Sequence, residues 1–220
     1  MHSRTSDRSL NSVEVRVEAA GARLIGDLTV PERSSGLVLF AHGSGSGRHS
    51  PRNRLVANRL NVSGLATLLF DLLTPDEEMD RSNVFDIAML GSRLHEVTDW
   101  AQRQPALAGH EVGYFGASTG AGAALWAAAS RSDVFAVVSR GGRPDLAGER
   151  LREVTSPSLL IVGGSDPVVV GLNREAISRM RCESRLVIIP GATHLFEEPG
   201  ALDEVSRHAG EWFADHLPGS

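Results

Sequence analysis

The sequence predicts an α/β fold, a mostly parallel sheet of about eight strands with helices on both faces, and three observations carry that expectation. Short apolar runs without polar alternation recur along the chain, as in strands covered on both sides. Amphipathic stretches of helical length separate them. The runs end in glycine, serine, aspartate or histidine, and the carboxyl ends of the strands are where such sheets bind ligands.

In chain order, Val13, Val15 and Val17 alternate with polar residues, and a second extended run holding Leu24, Leu28 and Val30 follows Ala20-Gly21. That pattern is an antiparallel hairpin at the sheet edge. Gly36 to Ala41 is a buried strand that runs into His42-Gly43-Ser44-Gly45-Ser46-Gly47, too glycine-rich for regular structure, and Pro51 to Leu60 is an amphipathic helix. Ala66 to Phe70 is the next strand, closed by Asp71, and Thr74 to Arg81 reads as a polar, acidic loop. Ile87, Leu90, Leu94, Val97 and Trp100 have helical spacing within Val84 to Gln104. Val112 to Phe115 is a strand, and the Ala-rich stretch through Trp126 and Ala129 a helix. Phe135 to Val138 leads to the loop Ser139 to Pro144 and a short helix; Ser158 to Val162 leads to Gly163-Gly164-Ser165-Asp166. A helix around Asn173 to Met180, a strand at Leu186 to Ile189 and an amphipathic helix through Trp212 and Phe213 complete the series.

With 220 residues, 41% of them hydrophobic, the chain has material for a full core, expected as one domain over residues 12–218 after a polar tail at 1–11. The net charge of -5 argues against nucleic acid or an anionic membrane as partner. No apolar run is long enough to span a bilayer and the first residues lack a signal-peptide core, so a soluble cytoplasmic protein is expected. A single cysteine, Cys182, excludes an internal disulfide and reads as a helix-packing residue; no Cys/His spacing suggests zinc, and neither metal nor cofactor is expected. All 22 basic residues are arginine, which removes a P-loop lysine, a Schiff-base lysine and a lysine general base.

Gly116-Ala117-Ser118-Thr119-Gly120 between a strand and a helix fits G-x-S-x-G, the tight turn that pushes a serine above a sheet. Gly116, Gly120 and Gly122 also fit the glycine loop of short-chain dehydrogenases. That loop belongs to the first strand–helix unit and needs a Tyr-x-x-x-Lys pair, whereas this one lies mid-chain, Tyr114 is the only tyrosine and lysine is absent. A nucleophilic Ser118 needs a base and a carboxylate that orients it. Asp166 and His194 follow the last two strands, and the order Ser118, Asp166, His194 is the serine, acid, histidine order associated with such elbows. Asp71 is the rival acid, read as structural because it precedes the nucleophile, and His42 as a residue that shapes its loop. The backbone N–H groups of Thr119 and of Ser44 are the expected oxyanion donors, with Gly43 the second choice in its loop. Among Arg48, Arg52, Arg140 and Arg143, which should ring the carboxyl edge, Arg48 and Arg140 are candidate substrate contacts beside Gly43, and Arg140 is preferred for a substrate carboxylate.

Phe40-Ala41-His42-Gly43, Gly116 to Gly120, Gly163 to Asp166 and Gly191-Ala192-Thr193-His194 together resemble the α/β-hydrolase superfamily. The small form without a separate lid is similar to its dienelactone-hydrolase-like branch, some members of which are joined to a phosphoribosyltransferase domain. The resemblance covers roughly residues 13–217 and implies a serine esterase acting on a small carboxylic ester or lactone through an acyl-enzyme on Ser118. An acyltransferase or thioesterase with the same triad, and a non-catalytic binding module on this scaffold, are the alternatives. Dienelactone hydrolases proper use cysteine where this chain has Ser118, so the dienelactone substrate does not carry over. The oligomeric state is not legible.

Overall fold

The structure is a computed structural model and describes residues 11–219; the polar tail expected at 1–11 lies, but for Asn11, outside them. Eight strands form one sheet in the order β1-β2-β4-β3-β5-β6-β7-β8. They are β1 (Ser12–Ala19), β2 (Ala22–Thr29), β3 (Gly36–Ala41), β4 (Ala66–Phe70), β5 (Glu111–Ala117), β6 (Val134–Arg140), β7 (Ser158–Gly163) and β8 (Ser184–Ile189). Only β2 runs against its neighbours, pairing antiparallel with both β1 and β4; all other pairs are parallel. The hairpin turns at Ala20 and Gly21, with φ of 47° and 75°. Positive φ at both turn residues matches the twist of the flanking strands.

Among the described residues six α-helices accompany the sheet: α1 (Pro51–Val62), α2 (Pro75–Glu78), α3 (Ile87–Gln102), α4 (Thr119–Ala128), α5 (Pro167–Arg179) and α6 (Ala201–His216). Because side chains alternate across a strand, one face of β3 sends Leu37 and Leu39 toward Leu94 and Val97 of α3 and Ala124 of α4, while Val38 and Phe40 meet Val56 and Leu60 of α1 and Phe213 of α6. Two apolar layers result, one on each side of the sheet, and hold its strand ends in place.

Boundaries moved where capping outweighed periodicity. The helix expected around Asn173 begins at Pro167, since Asp166 caps it by accepting from Val169 N–H at 3.3 Å. Likewise α3 begins at Ile87 behind the cap Asp86. The expected acidic loop contains α2, whose Thr74 and Glu77 form a reciprocal capping box. Between β6 and β7 a 3₁₀ segment, Pro144–Glu153, breaks at Gly148 with φ of 58°, and no separate cap is inserted there. Cys182 lies in the turn between α5 and β8, not on a helix, and packs half-buried on the core.

Candidate active site

Ser118 stands between β5 and α4 with φ of 51° and ψ of -122°. A non-glycine residue held at positive φ is strained, and such strain persists only where the surroundings enforce it. Here Ser118 N–H donates to Arg140 O at 3.2 Å, while Ser118 O accepts from Ala121 and Arg143 N–H at 3.1 and 3.0 Å. Close packing explains the flanking glycines: a Cβ on Gly120 would strike the carbonyl oxygens of Ala41 and His42, and one on Gly116 the backbone of Ala121. Gly43 is pressed against the elbow itself, since a Cβ there would lie 2.8 Å from Ser118 Cβ.

Asp166 and His194 meet across neighbouring strand ends. His194 Nδ1 and Asp166 Oδ2 are 2.9 Å apart, which directs Nε2 away from the carboxylate. Ser165 N–H donates to Ala192 O at 2.9 Å and ties the acid's loop to the histidine's. Glu198 braces that loop further by accepting Thr193 N–H at 3.0 Å, a bond that holds its carboxyl below the ordinary value. His194 in turn rests on Gly141, where a Cβ would lie 3.6 Å from Nδ1, and Gly141 adjoins the residue whose carbonyl accepts Ser118 N–H. Ser118 Oγ itself makes no hydrogen bond among the described residues. Catalytic contacts of this kind are often long before substrate tightens them.

Of the two backbone N–H groups expected to receive an oxyanion, one is open and the other is bonded within the protein. Thr119 N–H, the first of α4, has no acceptor among the described residues and sits at the positive end of that helix. Ser44 N–H, the other expected donor, is instead spent on Thr119 Oγ1 at 3.0 Å. The hydroxyl's own hydrogen has no acceptor among the described residues. Gly43, Ser44 and Thr119, with Leu72, Leu73 and Leu90, line a cavity of about 130 Å³.

His42 braces the loop that carries Ser44. Its Nδ1 lies 2.9 Å from Gly43 O and its Nε2 accepts Leu72 N–H at 2.9 Å, so Nδ1 carries the hydrogen and donates. Burial pushes its pKa below the ordinary value. Asp71 is committed to the same loop, accepting Arg48 N–H at 2.8 Å and facing Arg48 Nε at 3.3 Å. The other described histidines bond elsewhere: His49 with Arg54, His110 with Ser34, His216 with Trp212 O; His95 and His208 face Asp99 and Glu204.

The arginines separate sharply. Arg48, expected at the substrate, is instead enclosed by Asp71, Asp27 and Glu14 and serves as a tie between the glycine loop and the hairpin. Arg143 is forked onto Asp145. Arg52 reaches Glu197 at 3.2 Å. Arg140 is buried at 7% exposure, and among the described residues its guanidinium has only Asn53 Oδ1 as hydrogen-bond partner, at 3.2 Å. Burial, reinforced by the charge of Arg52, lowers its pKa to about 10.

Several residues here were not singled out from sequence. Arg93, 2% exposed, grips Glu77 and the Leu72 carbonyl, and so fixes the cavity wall that holds Leu72 and Leu73. Its hydrogen bonds hold the Glu77 carboxyl down at about 2. The Thr74-Pro75-Asp76-Glu77 capping pattern was a visible signal for this helix; nothing local marked Arg93 or Asn53. Among the described residues no group of three or more His, Cys, Asp or Glu is arranged to hold a metal ion, and no helix is long and apolar enough to cross a membrane.

A family model described as the dienelactone hydrolase family matches residues 46–214. A Mycobacterium tuberculosis H37Rv protein, provisionally named a phosphoribosyl transferase, is 59% identical over 215 residues, covering 97% of this chain and 48% of the relative. The chain thus spans about half the length of the curated relatives of that name. Among solved structures, a dienelactone hydrolase from Anabaena variabilis ATCC 29413 superposes with a TM-score of 0.91 at 54% identity, covering 94% of this chain and 98% of that one. Est1E from Butyrivibrio proteoclasticus, 18% identical with a TM-score of 0.77 over 92% and 98% of the two chains, shares the fold.

Proposed function

The chain belongs to the dienelactone hydrolase family, and from that premise we propose that it is a serine hydrolase that cleaves a small carboxylic ester or lactone through an acyl-enzyme on Ser118. The observation that carries the reading is the Asp166–His194 pair at 2.9 Å, set on strand ends beside a serine held at φ of 51°. His194 Nε2 takes the Ser118 proton as Oγ attacks the carbonyl carbon; Asp166 keeps Nδ1 protonated and stabilises the imidazolium. The oxyanion is received by Thr119 N–H together with the Thr119 hydroxyl, which Ser44 N–H steadies. His194 then returns its proton to the leaving oxygen, and water repeats the sequence to release the acid. The cavity of about 130 Å³ beside Thr119 suits a small acyl or alcohol group.

The phosphoribosyl transferase name is carried by relatives of which this chain matches about half, and a name given to the whole assigns no transfer chemistry to this portion. The test is a panel of short aryl and alkyl esters and lactones, with fluorophosphonate labelling, on wild type and Ser118→Ala. Labelling confined to Ser118 and a fall in turnover of up to ~10⁶ are expected; undiminished turnover in Ser118→Ala rejects the reading.

A further inference from the structure

Nothing bonds Ser118 Oγ to the histidine among the described residues, so the alignment of the nucleophile with its base is left to the backbones that carry them. On the nucleophile's side that backbone is the turn 140–143: Ser118 N–H donates to Arg140 O at 3.2 Å, and Ser118 O accepts Arg143 N–H at 3.0 Å. On the acid's side it is the start of α5, where Asp166 holds Val169 N–H through Oδ1 at 3.3 Å and His194 through Oδ2 at 2.9 Å. The sheet joins the two sides only as far as Gly141, whose N–H donates to Ile161 O at 2.8 Å. Beyond that last strand bond, the carbonyl of Gly142 accepts Asn173 Nδ2 at 3.0 Å and no other donor among the described residues.

Asn173 is fully buried on α5, and both hydrogens of its amide are used, one on Gly142 O and the other on Val169 O at 2.8 Å. Val169 is the residue whose N–H Asp166 caps. One side chain therefore spans from the turn behind the serine to the helix start that carries the acid. Its amide oxygen is buried without a partner, which costs stability, and an apolar side chain would bring no such oxygen into the core. What the amide supplies in return is the hold of its N–H groups on Gly142. The turn has no slack of its own, since a Cβ on Gly142 would strike Ser139 Oγ and Ala121 Cβ of α4. A shift of Gly142 is thus passed to the adjoining Arg143 N–H and from there to Ser118 O.

We propose that Asn173 is a positioning residue: through Gly142 it locks the turn behind Ser118 to the start of α5, and so sets Ser118 Oγ opposite His194 Nε2. The proposal rests on the hydrolase reading of Ser118. Asn173 touches neither the substrate nor the reacting atoms and acts only through the backbones it joins. A misplacement of about 1 Å caused far from the chemistry can lower a rate by ~10²-fold, because proton transfer and attack both depend on the geometry of approach.

Two variants separate the roles of the amide. Asn173→Leu keeps the branched shape, removes the unpartnered oxygen and leaves Gly142 O without a donor, one orphan exchanged for another, so its thermal midpoint should stay near that of wild type. Asn173→Ser keeps the bond within α5, since a helical serine hydroxyl reaches the carbonyl four residues back, but is too short to reach Gly142. Each is made alone and in the Asp166→Asn background, and turnover of 4-nitrophenyl acetate and the rate of fluorophosphonate labelling are measured beside wild type, Asp166→Asn and Ser118→Ala. Both variants should lower kcat and the labelling rate by ~10- to 10²-fold with KM within ~3-fold of wild type. In the Asp166→Asn background the further loss should shrink below ~3-fold, because residues that act as one unit are lost together. A residue that only supported the fold would lower both backgrounds equally. A folded variant with the kcat of wild type, or a loss of the same size in both backgrounds, overturns the proposal; should Asn173→Leu fail to fold, Asn173→Ser gives the same reading. Ser118-dependent turnover indifferent to Asn173 removes this inference alone; turnover independent of Ser118 removes the hydrolase reading and this inference with it.

Discussion

At the residue scale the Thr119 hydroxyl has the most to reveal. Its oxygen is held by Ser44 N–H at 3.0 Å, and neither the hydroxyl hydrogen nor the backbone N–H of the same residue has an acceptor among the described residues; on the proposed reading both serve the oxyanion. Thr119→Val removes the hydroxyl donor, so kcat on a neutral ester should fall by about 10²-fold with KM little changed, and Thr119→Ser should stay within a few-fold of wild type. If Ser44 N–H were the working donor, Thr119→Val would free it and kcat would hold or rise. Asp166 offers a second separation of roles. Asp166→Asn still fits beside His194 Nδ1 but favours the wrong tautomer, and kcat should drop by about 10⁴. Asp71→Asn loosens the glycine loop through Arg48 without touching that pair, so its effect on kcat should be far smaller.

At the element scale the cavity wall is continued by Glu78 of a short helix that cannot stand on its own propensity. α2 is one turn long and exposed, and a helix this short is held by its caps and neighbours. The capping box of Thr74 and Glu77 starts it, and Arg93 on α3 clamps Glu77 while also donating to Leu72 O at 2.7 Å. Gly91, two residues before Arg93 on α3, leaves room for the Trp126 ring of α4, so the clamp's own helix is packed tightly. Glu77→Gln leaves a buried guanidinium half-paired and should cost about 2–3 kcal/mol in urea unfolding, less than a fully buried pair because Glu77 keeps contact with water. The same variant should raise KM for small esters as Leu72 and Leu73 lose their support.

For the whole molecule, stability should fall in two stages as pH drops. His42 is buried neutral with its pKa below the ordinary value, so the unfolded chain binds its proton first. Stability on this account is complete above about pH 6.5 and declines as pH falls below it. Glu77 and Asp133 are held down to about 2 by their arginines, so their contribution is present above the ordinary carboxylate range and is lost as pH falls from about 4 toward 2. Thermal unfolding across pH 3–8 should show both declines, and His42→Gln, which keeps an acceptor for Leu72 N–H, should shrink the first, to which the lowered pKa of His208 also contributes, and leave the second. A single decline confined to the lower window would contradict the role given to His42.

The backbone of this protein was legible because its signals are local. Unalternating apolar runs, glycine at the elbow, and Ser118, Asp166 and His194 each placed just after such a run state strand, turn and site within a few neighbouring residues, and the rule that ligands gather at the carboxyl edge joined them. The extra turns of α5, the α2 cap and the start of α3 were also local but were missed, because side-chain capping outweighed apolar spacing. What only the tertiary structure decided was pairing between distant side chains. Sequence alone put both Arg48 and Arg140 at the substrate, with Arg140 preferred, but β2 and β4 bring Asp27 and Asp71 to Arg48, whereas α1 brings Arg140 Asn53 and a like charge and the loop after β8 brings it Phe196. Ser44 N–H likewise met an acceptor 75 residues away, in the Thr119 hydroxyl. Periodicity records which face of an element is covered; which charge finds a counter-charge depends on strand order and helix placement, and those exist only once the sheet has formed.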